Sequence, residues 1–552
     1  MKKSIKQMVG KRIVSVILST LLAVTGVGLL PQFAMPVKAA DYTYNVADGN
    51  VNVTYDQDCT VEITGTSTTN TIFITVDDNK TVTVTLNNVN IDLSSGSYSA
   101  FEISGAGNVV INLEGTNILK GGYDNAGIQK DGTGLLTISG NGSLYAYGGE
   151  YGAGIGGGDY ISVSNIKITD GTIYAYGGSR GAGIGGGANG YGSNIEITGG
   201  TISATGGLEG AGIGGGASGF GSNIEITGGT ISATGGQEGA GIGGGAGGAG
   251  TNILIRFGEV MATGGLEGAG IGGGTNGSGS NIEITGGTVK AIGGLFAAGI
   301  GGGNSAGGNN GNGTNISISG GTVYAVGGES GAGIGGGMAF ANGGTASGIT
   351  ISGSSMVFVA GGADYYNPNN GNHYGSGAAI GSGGHNNVAS GDDLTPDTSG
   401  LYTTGRMNFY AVGTILSDIT NGIVQPTSTT IGTIDPPSAS APAPIDCMQE
   451  VMDDINAAIA LGGPQTVTIK GYSALSSDVM ELLVKNPQIT VVSEFSFDGL
   501  DYRITIPGSA VKLNPAIEWY GPKYLFPMFC MYGTDTEPAM QAFLEKYAEE
   551  IR

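Results

Sequence analysis

The stretch Gly152–Gly158 reads GAGIGGG. It returns at Gly181, Gly210, Gly239 and Gly268, as AAGIGGG at Ala297, and again as GAGIGGG at Gly331. The first five intervals are 29 residues and the last is 34. A strict period of this size means stacked units, because one such unit cannot bury its own apolar side chains.

The unit beginning at Asn194 holds three short alternating runs: Asn194 to Thr198, Thr201 to Thr205, and Gly210 to Gly214. Gly pairs at 199–200 and 206–207 separate them. Alternation bounded by Gly pairs reads as strand, turn, strand. Three strands in a 29-residue turn predict a right-handed parallel β-helix, with successive turns about 4.8 Å apart. Equal positions then stack. Ile195, Ile224, Ile253 and Ile282 form one inward column. Ile197, Ile226, Ile255 and Ile284 form a second, and Ile213, Ile242, Ile271 and Ile300 a third. Burying each Ile stabilises the fold by about 2 kcal/mol.

The Gly content, 112 of 552 residues, is about three times the usual level and first suggests disorder or collagen. Regularly placed Ile, Val and Thr argue against disorder, and Gly does not fall on every third residue as collagen needs. On alternation, the Gly motif points only its Ala211-like and Ile213-like positions inward. Its Gly residues then serve a sharp corner, or leave a bare outer face on which a polymer or second layer lies flat.

Asn165, Asn194, Asn223, Asn252, Asn281 and Asn315 are aligned in the same way. An amide carries both donor and acceptor, so stacked Asn can bond along the column. This column reads as structural.

Two side-chain patterns are candidates for chemistry. Glu209, Glu238 and Glu267 occupy one place in successive turns. Like charges about 5 Å apart repel by about 1 kcal/mol in water, and a calcium ion between them would remove that cost. The alternative is that exposed Glu side chains simply splay apart. Glu196, Glu225 and Glu283 form a second acidic column, interrupted by Leu254. The second pattern is aromatic. LYAYGGEYG and IYAYGGSRG put Tyr145, Tyr147, Tyr174 and Tyr176 in register and outward. Stacked Tyr offer apolar rings and hydroxyls to a sugar, or else fill a cap between uneven turns. Tyr365 and Tyr366, in an insertion, are candidates for a lip beside them. A Thr column (Thr201, Thr230, Thr288, Thr322) suggests an ice-binding face, but Glu259 breaks it.

Catalytic signals are sparse. The two histidines, His373 and His385, read as exposed loop residues, and Arg180, Arg256 and Arg406 as isolated cations. No set of Asp residues in hydrolase spacing and no calcium cluster with a nearby base is legible.

The ends differ from the repeats. Residues 1–39 combine a basic start, an apolar run and the cleavage site Val37-Lys38-Ala39, which reads as a secretory signal. After its removal, 15 Lys and Arg face 44 Asp and Glu. That excess of acid argues against nucleic acid, and no later run is apolar enough to span a membrane. Residues 40–424 are the β-helix, and 425–444 a Pro/Ser/Thr linker, extended and mobile. Residues 445–552 alternate helix and strand patterns, ending in a helix over EPAMQAFLEKYAEEI, and predict a small α+β domain. There Cys447 and Cys530 can pair in an oxidising compartment, and the only Trp, Trp519, reads as a core aromatic.

The stretch VTVTLNNVNIDLSSGSYSAFEISGAGNVVINLEGTNILKGG (82–122) resembles secreted carbohydrate-binding β-helix proteins of clostridia, similar in shape to pectate lyases. The match covers about forty residues, and the Gly-rich repeats resemble a looser group of bacterial surface proteins. The resemblance implies binding of acidic, pectin-like polysaccharides with calcium in the fold and no lyase activity. The expected function is therefore non-catalytic binding of a polysaccharide or cell-wall glycan by a secreted or cell-surface protein, with calcium as candidate cofactor. The alternatives are a structural surface protein or adhesin that binds other proteins, and a polysaccharide lyase or hydrolase.

Overall fold

The computed structural model describes residues 41–305, 311–339, 343–368, 371–385, 390–434, 447–470, 475–497, 500–511, 519–520 and 549–551. The secretory-signal reading of 1–39, Cys530, and the side chains of Cys447 and Trp519 lie outside what is described.

The repeats coil into a parallel β-helix. One turn runs Gly192–Ile197, Thr201–Thr205, Ile213–Gly214, and each of these strands pairs with its equivalent in the next turn. The result is three long sheets of 12, 13 and 12 strands, here sheets 1, 2 and 3 in that order. All three Ile columns expected from the period are fully buried. The less regular N-terminal turns continue the same core through Val84, Leu86, Ile111 and Leu113.

The Asn column forms a hydrogen-bonded ladder. Asn223 Nδ2 donates to Asn194 Oδ1 at 3.0 Å, Asn252 to Asn223 at 3.0 Å, and Asn281 to Asn252 at 3.0 Å. Each of these Asn is an extra residue in its strand: Ser193 pairs with Ser222 and Ile195 with Ile224, and the Asn between them is skipped. Their φ angles lie at 50–61°, the left-handed region that Asn tolerates better than other side chains.

Of the two readings of the Gly motif, the corner holds and the docking face does not. The motif is not a bare outer face, because Gly152–Gly158 is buried throughout. The sheet 3 strand is two residues long, and the corners on either side close over it. The Ala211 amide donates to the Gly215 carbonyl at 2.9 Å, and the Ala217 amide to the Arg180 carbonyl of the previous turn at 2.8 Å. Backbone thus packs directly on backbone. Gly214 has φ +135°, and a Cβ there would sit 2.0 Å from the Gly243 carbonyl oxygen.

The linker reading fails at its start. Ser428–Ile431 pairs antiparallel with Arg406–Phe409 and forms the last strand of sheet 2. The Thr429 hydroxyl donates to Asn408 Oδ1 at 3.0 Å. An exposed sheet end offers unpaired amides, and this β-prone segment satisfies them.

Farther on, helices Cys447–Leu461 and Ser477–Lys485 accompany a four-stranded sheet containing Gln465–Lys470, Ile489–Phe497 and Leu500–Pro507. Val451, Ile455, Leu483, Val491 and Ile504 belong to a second hydrophobic cluster. Of the expected closing helix only the last three residues are described, and they are not helical. Glu549–Ile551 is an edge strand on Asp501–Arg503.

Candidate functional site

The tyrosines stand on strands Ser143–Tyr147 and Thr172–Tyr176 of sheet 2. Leu144, Ala146, Ile173 and Ala175 between them are fully buried, so all four Tyr face outward and are half-buried. Tyr145 and Tyr174 stack with centroids 4.6 Å apart and planes 12° apart. Tyr147 and Tyr176 stack at 4.9 Å and 13°. Rings lying flat on the sheet could not approach so closely, so these stand face to face along the column. Their edges meet solvent, and the register expected from the sequence makes two short stacks.

Lys120 Nζ lies 5.6 Å from the Tyr147 ring centroid, on the side away from Tyr176. It also donates to Asp92 at 2.8 Å. That bond, followed by one from Ser94, holds the Asp92 carboxyl down to about 2. Burial pushes the Tyr176 hydroxyl pKa up, with its tyrosine neighbours adding to the effect.

The same sheet 2 column continues from Tyr145 and Tyr174 through Ser203, Ser232, Met261 and Lys290 to Tyr324 and Phe358. Tyr324 and Phe358 also stack, at 4.7 Å. Here the chain covers its own aromatics. Tyr410, Leu416, Ile419 and Val424 pack over them together with Val326 and Ala360. Residues 410–424 carry no repeat, so this cover has no signature in the periodicity.

Tyr365 and Tyr366 are not a lip beside the first block. They form a hairpin with His373 and Tyr374, and Tyr365 sits edge-on to Phe296 at 4.9 Å. Phe296 is five repeats beyond Tyr151, about 24 Å along the stack. Tyr366 is exposed and leans on His373 at 4.9 Å.

Glu209, Glu238 and Glu267 do stack, at the corner between sheets 2 and 3. Their amides bond to the turns before them, Glu238 to Leu208 and Glu267 to Gln237. The column's ends are satisfied by protein. Arg180 Nε pairs with Glu209 at 3.4 Å while its guanidinium lies 5.4 Å from the Tyr151 ring centroid. Glu267 Oε2 accepts from Thr275 at 3.1 Å. The central Glu238 stands between two like charges. Burial first, then Glu267 and Glu209, raise its pKa. Among the described residues no three His, Cys, Asp or Glu side chains come together to hold a metal ion.

Of the three arginines expected to be isolated, Arg180 and Arg256 are paired across turns, and Lys167 and Lys290 are paired in the same way. Arg256 Nε meets Glu225 at 2.9 Å and Lys167 meets Glu196 at 3.0 Å, within the second acidic column. Lys290 meets Glu259 at 3.3 Å. Sequence spacing holds this signal, since Lys167 and Glu196 are one repeat apart and Arg256 and Glu225 one repeat plus two residues.

Seven segments match a family model described as a beta helix repeat: residues 136–159, 166–188, 195–217, 224–246, 258–275, 282–304 and 316–338. The chain is a β-helix repeat protein. No curated protein and no solved structure matches it. The matched segments of this β-helix repeat protein carry both the Tyr block and the Glu column. None of the described helices is long and apolar enough to cross a membrane.

Proposed function

We propose that this β-helix repeat protein is secreted and binds a polysaccharide, without cleaving it, on the outer face of sheet 2. One observation carries the reading. Sheet 2 holds two aromatic blocks, and all six rings are half-buried; the chain packs Tyr410, Leu416, Ile419 and Val424 against Tyr324 and Phe358, and no hydrophobic cluster of the described residues includes Tyr145, Tyr147, Tyr174 or Tyr176. Open, rigid, half-buried tyrosines with polar tips suit sugar rings, which have apolar faces and hydroxyl rims.

The carboxylates support a non-catalytic role. From strand Asn90–Asp92 to strand Thr288–Ile292, the outward strand residues of sheet 2 include two carboxylates, Asp92 and Glu259. Each is tied to a lysine. They stand six strands apart, about 29 Å, whereas glycoside hydrolysis needs two carboxyl groups within about 10 Å.

The test is affinity electrophoresis of the full chain through gels holding neutral or acidic polysaccharides, with reducing-end and unsaturated-product assays in parallel. Retardation by a glycan without product formation is expected. Product formation would overturn the non-catalytic part. Retardation by none of the glycans, with capture of a protein partner instead, would favour the adhesin alternative.

A further inference from the structure

Directly beyond the Tyr block, sheet 2 presents two rows of small hydroxyl side chains: Thr201, Ser203 and Thr205, then Thr230, Ser232 and Thr234. The residues between them, Ile202, Ala204, Ile231 and Ala233, are buried, so all six hydroxyls face outward. None of the six side chains is hydrogen-bonded to another described residue. The aromatic stack ends abruptly at this floor. One face of Tyr174 is covered by Tyr145 and one face of Tyr176 by Tyr147. Their other faces look along the column over Ser203 and Thr205, which are too short to cover them. On the far side the floor ends at Met261, which is 41% exposed, and at the Glu259–Lys290 ion pair. From the Tyr174 strand to the Met261 strand is three strand spacings, about 14 Å.

We infer that this slot is the glycan subsite and that its ligand is a neutral polysaccharide, an assignment that rests on the polysaccharide-binding reading above. A sugar ring sets its apolar face on the open faces of Tyr174 and Tyr176 and its hydroxyls on the Ser/Thr floor. Hydroxyls suit this floor because each donates and accepts without charge. The floor repeats about every 4.8 Å across strands and about 6.7 Å along them, a lattice that a regular polymer meets more than once. A uronic acid would bring a carboxylate to a floor with no cation. Lys290 at its margin is held by Glu259, and the chain carries net charge −23. An unpaired charge placed on such a surface loses hydration without compensation. The acidic, pectin-like ligand implied by family resemblance is therefore the wrong class for this slot.

The experiment compares neutral β-glucan, mannan and galactan with polygalacturonate by affinity electrophoresis and titration calorimetry. It uses the full chain and the variants Tyr145→Ala, Tyr174→Ala, Ser203→Ala/Ser232→Ala and Ser203→Tyr/Ser232→Tyr. A neutral glycan binds and polygalacturonate does not. Tyr174→Ala weakens binding about tenfold, because an aromatic face is lost. Tyr145→Ala costs less than about threefold, since its ring meets Tyr174 and not the ligand. The double Tyr variant continues the existing stack as far as Met261, so it keeps the fold while filling the slot, and binding is lost. Equal losses for Tyr145→Ala and Tyr174→Ala, with both Ser double variants silent, would overturn the slot and leave polysaccharide binding standing. Binding of polygalacturonate alone would overturn the ligand class. Binding of no glycan at all would remove the underlying reading as well.

Discussion

Replacing Asn223 separates two roles that the ladder combines. Its side chain donates to Asn194 and accepts from Asn252, both at 3.0 Å, and its backbone sits at φ 51°. Both bonds lie at the surface, where water replaces them in part, so each contributes about 0.5 kcal/mol. Asn223→Ala also puts an ordinary side chain into the left-handed region, which costs about 1–2 kcal/mol more. The sum is about 2–3 kcal/mol. Asn223→Gly loses the same two bonds but occupies that φ freely, so it is expected to be about 1 kcal/mol less destabilising than Ala despite its greater chain entropy. Urea unfolding followed by circular dichroism gives both values. If Ala and Gly are equally destabilising, the left-handed bulge is not what the position requires. If neither changes the midpoint, the ladder does not stabilise the stack.

Three further outcomes follow from individual contacts. Gly214→Ala drives a Cβ into the Gly243 carbonyl and is expected to cost more than about 3 kcal/mol, measured as lost soluble yield and a lower melting temperature; Gly247→Ala, whose Cβ would have no neighbour nearer than 3.9 Å, is expected to cost about 1 kcal/mol. Lys130 is 2% exposed, and burial brings its ammonium pKa down from 10.5 to about 8. The unfolded chain therefore binds more protons between those values, and stability rises with pH across about 8 to 10.5. Lys130→Met should flatten that rise and stabilise the protein at pH 7 by up to about 3 kcal/mol in a urea titration repeated across pH. Glu238 is the opposite case: its raised pKa means the folded state holds the proton more tightly, so this group's contribution falls as pH rises through the carboxylate range. Glu238→Gln is expected to raise the urea midpoint at pH 7 by roughly 0.5 kcal/mol equivalent and to leave it unchanged at pH 4.

Much of the candidate site was visible in the residues. The repeat placed the four Tyr in register and outward, and aligned the three Glu. It did not disclose that the rings stand face to face and cover one another, because alternation gives a face and not a torsion angle. Arg180 stands one repeat before Glu209 in the same column, so that pair was legible from the period, whereas Thr275 meets Glu267 across the short sheet 3 strand. Alignment of the column does not disclose the Thr275 hydroxyl, which lies at an unlike position of the turn.

The period of 29 by itself determined the coil, the three Ile columns and the Asn ladder, because stacking turns each repeated position into its own neighbour. Tertiary structure alone decided what the Gly motif is for and which aromatics stay open. Buried backbone at Gly152–Gly158 depends on two corners closing over one short strand. The difference between Tyr174 and Tyr324 depends on a non-repeating segment that folds back from residue 410 onward. Both are contacts between unlike parts of the chain, and a repeat encodes only contacts between like ones.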